Sequence, residues 1–251
     1  MKILVVISQS LDAEVAVRIT EDSVDLASSK LTLDKMDEYG VEEALRLREA
    51  GLDAEIIAAG VGSAELQTSL RAGLALGVDR AVLIRTEFEN DVLEMGRVLA
   101  TLCADERADL IFVGGQQGNS DSHALGPAIA ENLDWPHVAW VNSLQWSDGK
   151  LKGTHDVDGG YENFEVDFPV VLTTQQGLNE PRYPTVLNIR RSSQKEVKML
   201  SVDSRGGPSV KILRQNLETR RRQGLIVDGK DLNEAAAQMV KFLRQEAKVI
   251  E

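Results

Sequence analysis

A glycine-rich loop at residues 114–126 carries the side chains best suited to hold a ligand. Its residues are Gly114, Gly115, Gln116, Gln117, Gly118, Asn119, Ser120, Asp121, Ser122, His123, Ala124, Leu125 and Gly126. Glycines let a ligand approach the backbone closely, and amide, hydroxyl and carboxyl side chains can hydrogen-bond a base, a ribose or a phosphate. The loop follows an apolar run typical of a strand. We therefore predict a nucleotide-binding loop, and the alternative is an ordinary polar surface loop.

A second glycine turn, at residues 60–65, begins Gly60-Val61-Gly62. Glu65 stands where a dinucleotide-binding fingerprint has its third glycine, and Asp79 is only a loose match for a ribose-binding acid. The turn is therefore predicted to be a tight strand–helix connection, with dinucleotide binding as the alternative.

Catalytic clusters are not recognisable in the sequence. The segment 118–122 lacks the second glycine of a nucleophile elbow, and the three histidines follow no metal-ligand or triad spacing. His137 and His155 are predicted to be ordinary strand residues. Cys103 lies among apolar residues at helical spacing, which predicts a buried thiol. The sequence thus favours a binding protein over an autonomous enzyme.

The elements that must position these residues alternate between strands and helices. Apolar runs at 2–9, 54–60, 80–86 and 109–115 predict buried parallel strands, separated by amphipathic helices, the last of which starts at a capping box of Asp91 and Glu94. The fold class is therefore α/β, with a doubly wound and mainly parallel sheet. Runs at 137–146, 150–157, 161–168 and 169–175 are separated by short turns and predict antiparallel additions to that sheet.

The C-terminal part of the chain lacks this alternation of strands and helices. A polar stretch from about 191 to 230 precedes a final amphipathic helix capped by Asp231 and Glu234. We predict an α/β domain over residues 1–190 and a C-terminal arm over residues 191–251 that ends in this helix.

Charge restricts the partners. The formal net charge of −12 excludes nucleic acid as the main partner, because binding to phosphates needs clustered Lys and Arg. Residues 182–222 are the exception, with 11 Lys or Arg against three acidic residues. They form either a solvated basic surface or an arm that docks on an acidic partner or near a phosphate. No signal peptide or membrane-spanning run is recognisable, so a cytoplasmic protein without membrane insertion is expected.

Several segments together resemble the electron-transfer flavoprotein β-subunit family. They are KILVVISQSLD, DEYGVEEALRLREAG, GGQQGNSDSHALG, DWP at 134–136, DGGYE at 158–162 and LNEPRYPTVLNI at 178–189. The last is the most specific, because general reasoning about α/β folds would not require it. The segments occur in family order between residues 2 and 189.

The resemblance implies a subunit that carries electrons rather than an enzyme. It implies a heterodimer whose larger α-subunit holds most contacts to FAD, while the β-subunit closes over that flavin and binds a second adenine nucleotide. Electrons would come from acyl-CoA or related flavin-dependent dehydrogenases and pass to a downstream acceptor such as a quinone oxidoreductase. By alignment, the second nucleotide would contact the glycine-rich loop together with Val6, Asp34, Lys35, Met36, Asp37 and Val61. Asp34-Lys35 replaces the family's asparagine–proline.

The resemblance also implies a dehydrogenase-recognition loop, here the 182–191 segment. It consists of Arg182, Tyr183, Pro184, Thr185, Val186, Leu187, Asn188, Ile189, Arg190 and Arg191. Val186 aligns with the family's leucine anchor, and Leu187 is the alternative anchor. If the segment had no such role, these apolar side chains would pack internally.

The identity of the second nucleotide is left open between AMP and a second FAD. Ordinary family members have Thr-Gly where this chain has Leu125-Gly126, and electron-bifurcating members have an apolar residue followed by Gly-Pro, as here. Leucine cannot hydrogen-bond a phosphate, and Pro127 lacks an N–H. Segment 118–120 matches neither pattern, so AMP is retained as the first expectation.

Two readings from other classes remain. One is a stand-alone adenine-nucleotide sensor of the universal-stress type, and the other is an NAD-dependent oxidoreductase that would use the Gly60 turn.

Overall fold

The computed structural model describes residues 1–12, 15, 19–20, 23–25, 30–86, 91–202, 210, 213–214 and 226–249. The chain divides into two compact units, Met1–Gln215 and Asn216–Glu251. The strands of the first unit are β1 (Lys2–Val6), β2 (Gln9–Leu11), β3 (Ile19–Thr20), β4 (Ser23–Val24), β5 (Leu31–Leu33), β6 (Glu55–Gly62), β7 (Arg80–Arg85), β8 (Leu110–Gly114), β9 (His137–Ser147), β10 (Lys150–Val157), β11 (Gly160–Val166), β12 (Val170–Thr174) and β13 (Val197–Ser201). Its helices are α1 (Lys35–Glu49), α2 (Gln67–Leu76), α3 (Val92–Glu106), α4 (Leu125–Leu133) and α5 (Val186–Ser192).

A nine-stranded sheet in the order β11-β10-β9-β12-β8-β1-β6-β7-β13 forms the centre of this unit. In this spatial order, each pair of neighbouring strands from β9 through β12, β8, β1, β6 and β7 to β13 is parallel. The predicted doubly wound, mainly parallel α/β fold is confirmed.

The antiparallel part is smaller than the sequence predicted. Strands β9, β10 and β11 form an antiparallel meander, as expected. The prediction for residues 169–175 is wrong, because β12 is parallel to both β8 and β9 and lies between them. All five residues of β12 are buried. A continuous apolar run without alternation is what a strand covered on both faces requires, and parallel strands are of that kind.

Two hydrophobic layers cover the two faces of the sheet. One contains Ile3 and Val5 of β1 with residues of α1 and α2, and the other contains Leu4 and Val6 with residues of α3 and α4. Successive side chains of a strand point to opposite faces, which explains the alternation. Cys103 lies fully buried in the second layer, and burial raises the pKa of its thiol to about 12, so the predicted buried thiol is confirmed.

Helix α1 begins within the segment 34–37, which the resemblance places at the second nucleotide. Asp34 is its N-cap, and the Asp34 carboxylate accepts a hydrogen bond from the Met36 N–H at 2.9 Å. Residues 35–37 therefore form the first helical turn. Helix α3 starts at the predicted cap, where Asp91 accepts from the Glu94 N–H at 3.1 Å.

The sheet continues beyond residue 190. Strand β13 pairs in parallel with β7, so residues 197–201 belong to the α/β unit. The predicted start of the arm at 191 thus falls inside the first unit, which extends to Gln215. Strand β13 is mostly exposed and contains Lys198, and the residues before it are polar. The sequence therefore has no continuous apolar run there from which a strand could be predicted.

Among residues 226–249, the described part of the second unit, α6 (Leu232–Gln245) is the one helix, and its N-cap Asp231 accepts from the N–H groups of Asn233 and Glu234 as predicted. None of its residues is buried. Much of the basic stretch, residues 203–209, 211–212 and 215–222, lies outside the described residues. Within the described part of the chain, no helix combines the length and apolarity needed to cross a membrane.

Candidate functional site

The candidate site lies where the winding of the sheet reverses. Strand β1 has β6 on one side and β8 on the other, and the chain crosses from β7 back to β8 through α3. In α/β sheets of this kind, ligands bind outside the carboxyl ends of the strands at such a reversal. Val6, Val61 and Gly114 all lie at that edge, so the structure places three of the four predicted contact segments together. Val6 and Val61 are themselves buried, with 2% and 8% of their surface exposed.

Asp37 is the centre of this edge and is fully buried. Its carboxylate accepts hydrogen bonds from the Ser8 N–H at 2.7 Å, the Ser8 hydroxyl at 2.5 Å and the Gly114 N–H at 3.0 Å. The Gln117 amide donates to the same carboxylate at 3.2 Å. One side chain thus joins the end of β1, the end of β8 and the first turn of α1.

Burial raises the pKa of Asp37 to about 7, and the neighbouring Asp34 carboxylate acts in the same direction. The hydrogen bonds from Ser8 and Gln117 act in the opposite direction, because they stabilise the ionised form. The pKa nevertheless stays above its usual value. Asp37 is therefore a buried carboxyl group that changes charge near neutral pH.

Asp34 supplies the second buried carboxylate, and it is 1% exposed. Besides capping α1, it accepts a hydrogen bond from the Gly118 N–H at 2.7 Å. The aspartate thus uses one oxygen to cap α1 and the other to hold the loop. The Lys35 side chain is exposed and forms a surface ion pair with Glu38 at 3.2 Å.

Close backbone packing explains the glycines at the base of the loop. A Cβ on Gly114 would lie 2.6 Å from an Asp37 oxygen, and one on Gly115 would lie 2.8 Å from the Thr174 carbonyl oxygen. A Cβ on Gly126 would collide with the Thr173 side chain. These three glycines are needed for the fold of the loop itself, in addition to any role in admitting a ligand.

The outer part of the loop is tied to β9 by an aromatic contact. The His123 ring stacks on Trp140 with 4.9 Å between centroids, and His123 Nε2 lies 3.2 Å from Asp121. Gln116 donates to the same Asp121 oxygen at 2.8 Å. Asp121, His123 and Trp140 all have positive φ angles near 50°, namely 49°, 55° and 57°. A left-handed backbone is uncommon for residues other than glycine, and here three such residues occur together.

Residues 119, 120 and 122 lie at the exposed tip of the loop, where Ser120 and Ser122 hydroxyls are 3.3 Å apart. The tip is the part of the loop open to a ligand. Ala124 precedes α4 as its N-cap residue, without a side chain that could cap the helix.

The start of α4 offers backbone donors rather than side chains. The Leu125 side chain is buried in the layer beneath α4, so this position can present only its N–H. The N–H groups of Leu125 and Gly126 belong to the first helical turn, where no intrahelical acceptor exists, and Pro127 has no N–H. His137 lies next to Gly126, and its Nε2 atom is buried without a hydrogen-bond partner. Burial lowers the pKa of His137.

Three contributors to the site escaped the sequence-based reasoning. Ser8 donates twice to Asp37, Thr174 donates from its hydroxyl to the Met36 carbonyl oxygen at 2.9 Å, and Trp140 stacks on the loop. All three act on residues far away in the chain. The one available signal was position, since Ser8 and Thr174 lie one residue before the ends of the predicted strands at 2–9 and 169–175.

The Gly60 turn has the structural role predicted for it. Gly60 lies inside β6, and a Cβ there would be 2.5 Å from the Ile7 carbonyl oxygen and 2.6 Å from the Leu66 side chain. The close approach that requires glycine is therefore to the chain's own atoms. This removes the main support for dinucleotide binding at this turn.

The 182–191 segment is only partly a loop. Thr185 caps the short helix α5 by accepting from the Asn188 N–H at 3.2 Å, so residues 186–191 are helical. The apolar side chains do not pack internally, since Tyr183 is 94% exposed, Val186 84% and Leu187 55%. The alternative reading of an internally packed segment is therefore wrong.

Fold and site together define a class: a doubly wound α/β protein whose reversal edge is built from backbone donors and two buried carboxylates. Among the described residues, no group of three or more His, Cys, Asp or Glu side chains could hold a metal ion. Residues 24–205 match the family described as "Electron transfer flavoprotein domain". The chain belongs to this family, as the resemblance predicted.

Three relatives show how far the similarity extends. The electron transfer flavoprotein subunit beta of Bradyrhizobium diazoefficiens is 32% identical over 255 aligned residues, covering 100% of both chains. The subunit of the same name from Bacillus subtilis is 31% identical, again over 100% of both chains. The Homo sapiens subunit is 33% identical over 80% of this chain and 81% of its own length. Proteins of this family carry electrons rather than transform a substrate, so the prediction that the chain is not an enzyme is confirmed.

Proposed function

We propose that the chain is the β-subunit of a cytoplasmic electron-transfer flavoprotein and pairs with an α-subunit that holds most of an FAD. In this proposal the flavin takes electrons from an acyl-CoA dehydrogenase or a related flavin-dependent dehydrogenase and passes them to an acceptor such as a quinone oxidoreductase. A bound flavin supplies the redox chemistry, while the chain shields and positions it. Similarity over the full length of β-subunits supports the proposal.

We also propose an adenine nucleotide at the reversal edge, contacted by the glycine-rich loop, by residues 34–37 and by the ends of β1 and β6. The observation that carries this proposal is the pair of buried carboxylates. Asp34 holds Gly118, and Asp37 holds Gly114 and Gln117, so side chains of α1 and its cap fix the loop against the strand ends. A fixed, backbone-rich loop is what close binding of a nucleotide needs.

AMP remains the favoured nucleotide. The case against it was that leucine at 125 cannot hydrogen-bond a phosphate. Because that side chain lies in the core, its chemistry does not enter the site, and the N–H groups of Leu125 and Gly126 remain available to an anion. A second FAD is the alternative, since Asp121 and the Gly-Pro pair at 126–127 match the electron-bifurcating members.

The test is co-expression with the α-subunit, purification of the complex, denaturation and a count of the released nucleotides. One FAD and one AMP per heterodimer would support the proposal. Two FAD without AMP would make bifurcation the leading function, and a flavin-free homodimer that binds ATP would favour the stress-type sensor. The Asp121→Asn variant keeps the size of the side chain and removes its charge. It therefore tests whether Asp121 contacts the ligand without the change in folding that a side chain of another size would cause.

The 182–191 segment is proposed as the surface that docks the dehydrogenase, with Val186 and Leu187 as anchors. Their exposure and the apolar surface they present support this role. Replacing both with Ala should slow electron transfer from the dehydrogenase and leave flavin content unchanged. Leu93→Ala, another exposed apolar side chain on α3, is the matched control. Loss of flavin in the double variant would contradict the docking role.

The C-terminal arm is proposed to pack on the α-subunit. Helix α6 is amphipathic and buries none of its residues, and a single helix of 14 residues is marginal on its own. Removing residues 225–251 should raise the dissociation constant of the heterodimer more than it disturbs the α/β unit. An unchanged dissociation constant would exclude this role.

A further inference from the structure

Two arginines hold the two ends of the 182–191 segment. Arg182, at the beginning of the segment, reaches back to α1. Arg71, on α2, reaches the residues that follow α5. Between these two attachments the chain exposes Tyr183, Val186, Leu187 and Ile189.

The first attachment is a double ion pair. The Arg182 guanidinium donates to Glu42 at 2.8 and 3.0 Å and to Glu49 at 2.7 and 3.1 Å. Its backbone N–H also donates to Glu42, at 3.2 Å. The Glu42 side chain is only 7% exposed, so this carboxylate is a fixed point of the fold. Hydrogen bonds from Arg182 lower the pKa of Glu49. A planar guanidinium that bridges two carboxylates has a defined orientation, unlike an ordinary surface ion pair.

The second attachment closes the end of α5. The Arg71 guanidinium donates to the carbonyl oxygens of Ser192 at 2.9 Å, Ser193 at 3.2 Å and Lys195 at 3.0 Å. The last carbonyls of a helix have no intrahelical partner, and a cation there is favourable to the helix dipole. Lys195 in turn donates to the Val78 carbonyl oxygen at 3.0 Å. The end of the segment is thus attached to α2 and to the start of β7.

We propose that Arg71 and Arg182 are positioning residues for electron transfer: they hold the 182–191 segment in its docking conformation before the dehydrogenase arrives. The inference rests on the proposed docking role of this segment. A helix of seven residues does not hold its conformation alone, so the two attachments must supply its order. Because the segment is already ordered, binding does not have to order it.

The test uses the Arg182→Lys and Arg71→Met variants of the intact heterodimer. Lysine can reach one carboxylate but cannot bridge two, and methionine keeps the apolar stem of arginine without its donors. The electron donor is the member of a panel of acyl-CoA dehydrogenases that reduces the unaltered heterodimer fastest. We expect KM for the heterodimer to rise about five- to tenfold in each variant, with kcat and flavin content unchanged, because ordering then takes place during docking.

Matched controls exist elsewhere in the α/β unit. Arg80 also bridges two carboxylates, Glu55 and Glu106, but lies at the amino ends of the strands. Arg97 donates to Glu94 within α3, which covers the opposite face of the sheet from α2. Arg80→Lys and Arg97→Met should leave KM unchanged. A rise in KM with these controls equal to that of the variants would overturn the inference.

A double-mutant cycle separates positioning from general destabilisation. If Arg182 acts by presenting the anchors, Arg182→Lys should add little to the effect of the Val186→Ala, Leu187→Ala variant. Fully additive effects would contradict positioning. Should Arg182→Lys lose flavin or fail to fold, the same cycle with Arg71→Met decides the question.

The outcomes distinguish the inference from the proposed function. If removing the anchors leaves KM unchanged, or if no dehydrogenase in the panel reduces the heterodimer, the docking role fails and the inference fails with it. If removing the anchors raises KM while both arginine variants behave like the unaltered protein, docking stands and only the inference is overturned.

Discussion

The two ends of the parallel strands both carry acidic side chains, but in opposite surroundings. At the amino ends, Glu55 and Glu106 pair with Arg80 at 2.6 and 2.5 Å, and Lys2 lies 3.5 Å from Glu106. Hydrogen bonds from Arg80 lower the pKa of Glu106. This end of the sheet is compensated by cations and has the features of a purely structural network.

At the carboxyl ends, Asp34 and Asp37 are held by backbone and side-chain donors that carry no charge. In the described part of the chain, neither forms an ion pair with Lys or Arg, and the pKa of Asp37 is raised rather than lowered. Two buried carboxylates next to each other are costly unless they are paired. This difference between the two ends indicates that the carboxyl end is less stable than it could be because its carboxylates fix the loop, as is expected of a functional site.

The largest expected effect comes from Asp37→Asn at pH 8, where the carboxylate is mostly ionised. Each oxygen accepts from a backbone N–H, of Ser8 or of Gly114, so an amide NH₂ leaves one buried donor without an acceptor. We expect a loss of about 2 kcal/mol in the free energy of unfolding, measured by urea denaturation.

The comparison variant is Glu106→Gln at the amino end. It weakens a partly exposed ion pair and should cost about 1 kcal/mol or less, with a smaller effect at high salt. The Asp37→Asn effect should be insensitive to salt. Equal costs and equal salt dependence would remove the distinction between the two ends.

The sequence predicted the general architecture better than the site. Strands such as β1 and β8 were predictable because buried parallel strands are continuous apolar runs, and α3 because Asp91 marks its start. The place of β12 between β8 and β9 was not predictable, since strand order depends on contacts between residues far apart in the chain.

The site itself was predictable only as a set of positions. The resemblance indicated residues 34–37 and the glycine-rich loop, and the structure brings them together. It did not indicate that Asp34 and Asp37 are acceptors for Gly118, Gly114 and Ser8, because a hydrogen bond between distant residues leaves no local pattern. Strand β13 was missed for a related reason, since its order comes from pairing with β7 rather than from its own apolar residues.

The pH dependence of stability tests the same carboxylate. The pKa of Asp37 is about 7 in the folded chain and 3.8 in its ordinary state, so the folded chain holds an extra proton between these values. Stability from this group is therefore present below pH 4 and is lost progressively as the pH rises from 4 through 7. The difference between the unaltered protein and Asp37→Asn isolates this contribution, because other carboxyl groups titrate in both. A difference that does not change between pH 5 and pH 8 would show that burial does not raise this pKa.

The smallest effect on stability, and the sharpest test of the comparison, is expected from Asp34→Asn. Asparagine caps helices as well as aspartate does, so the bond from the Met36 N–H is kept, while that from the Gly118 N–H at 2.7 Å loses its acceptor. The cost should be about 1 kcal/mol or less.

Because the Asp34 charge is the second cause of the raised pKa of Asp37, its removal should lower that pKa. The change is observable in a carbon-13 NMR titration of the Asp37 carboxyl. Asp53→Asn, a change at an exposed aspartate beyond the C-terminal end of α1, should leave the titration unchanged. If Asp34→Asn also leaves it unchanged, the two carboxylates do not interact, and the unpaired charge that sets the carboxyl end apart belongs to Asp37 alone.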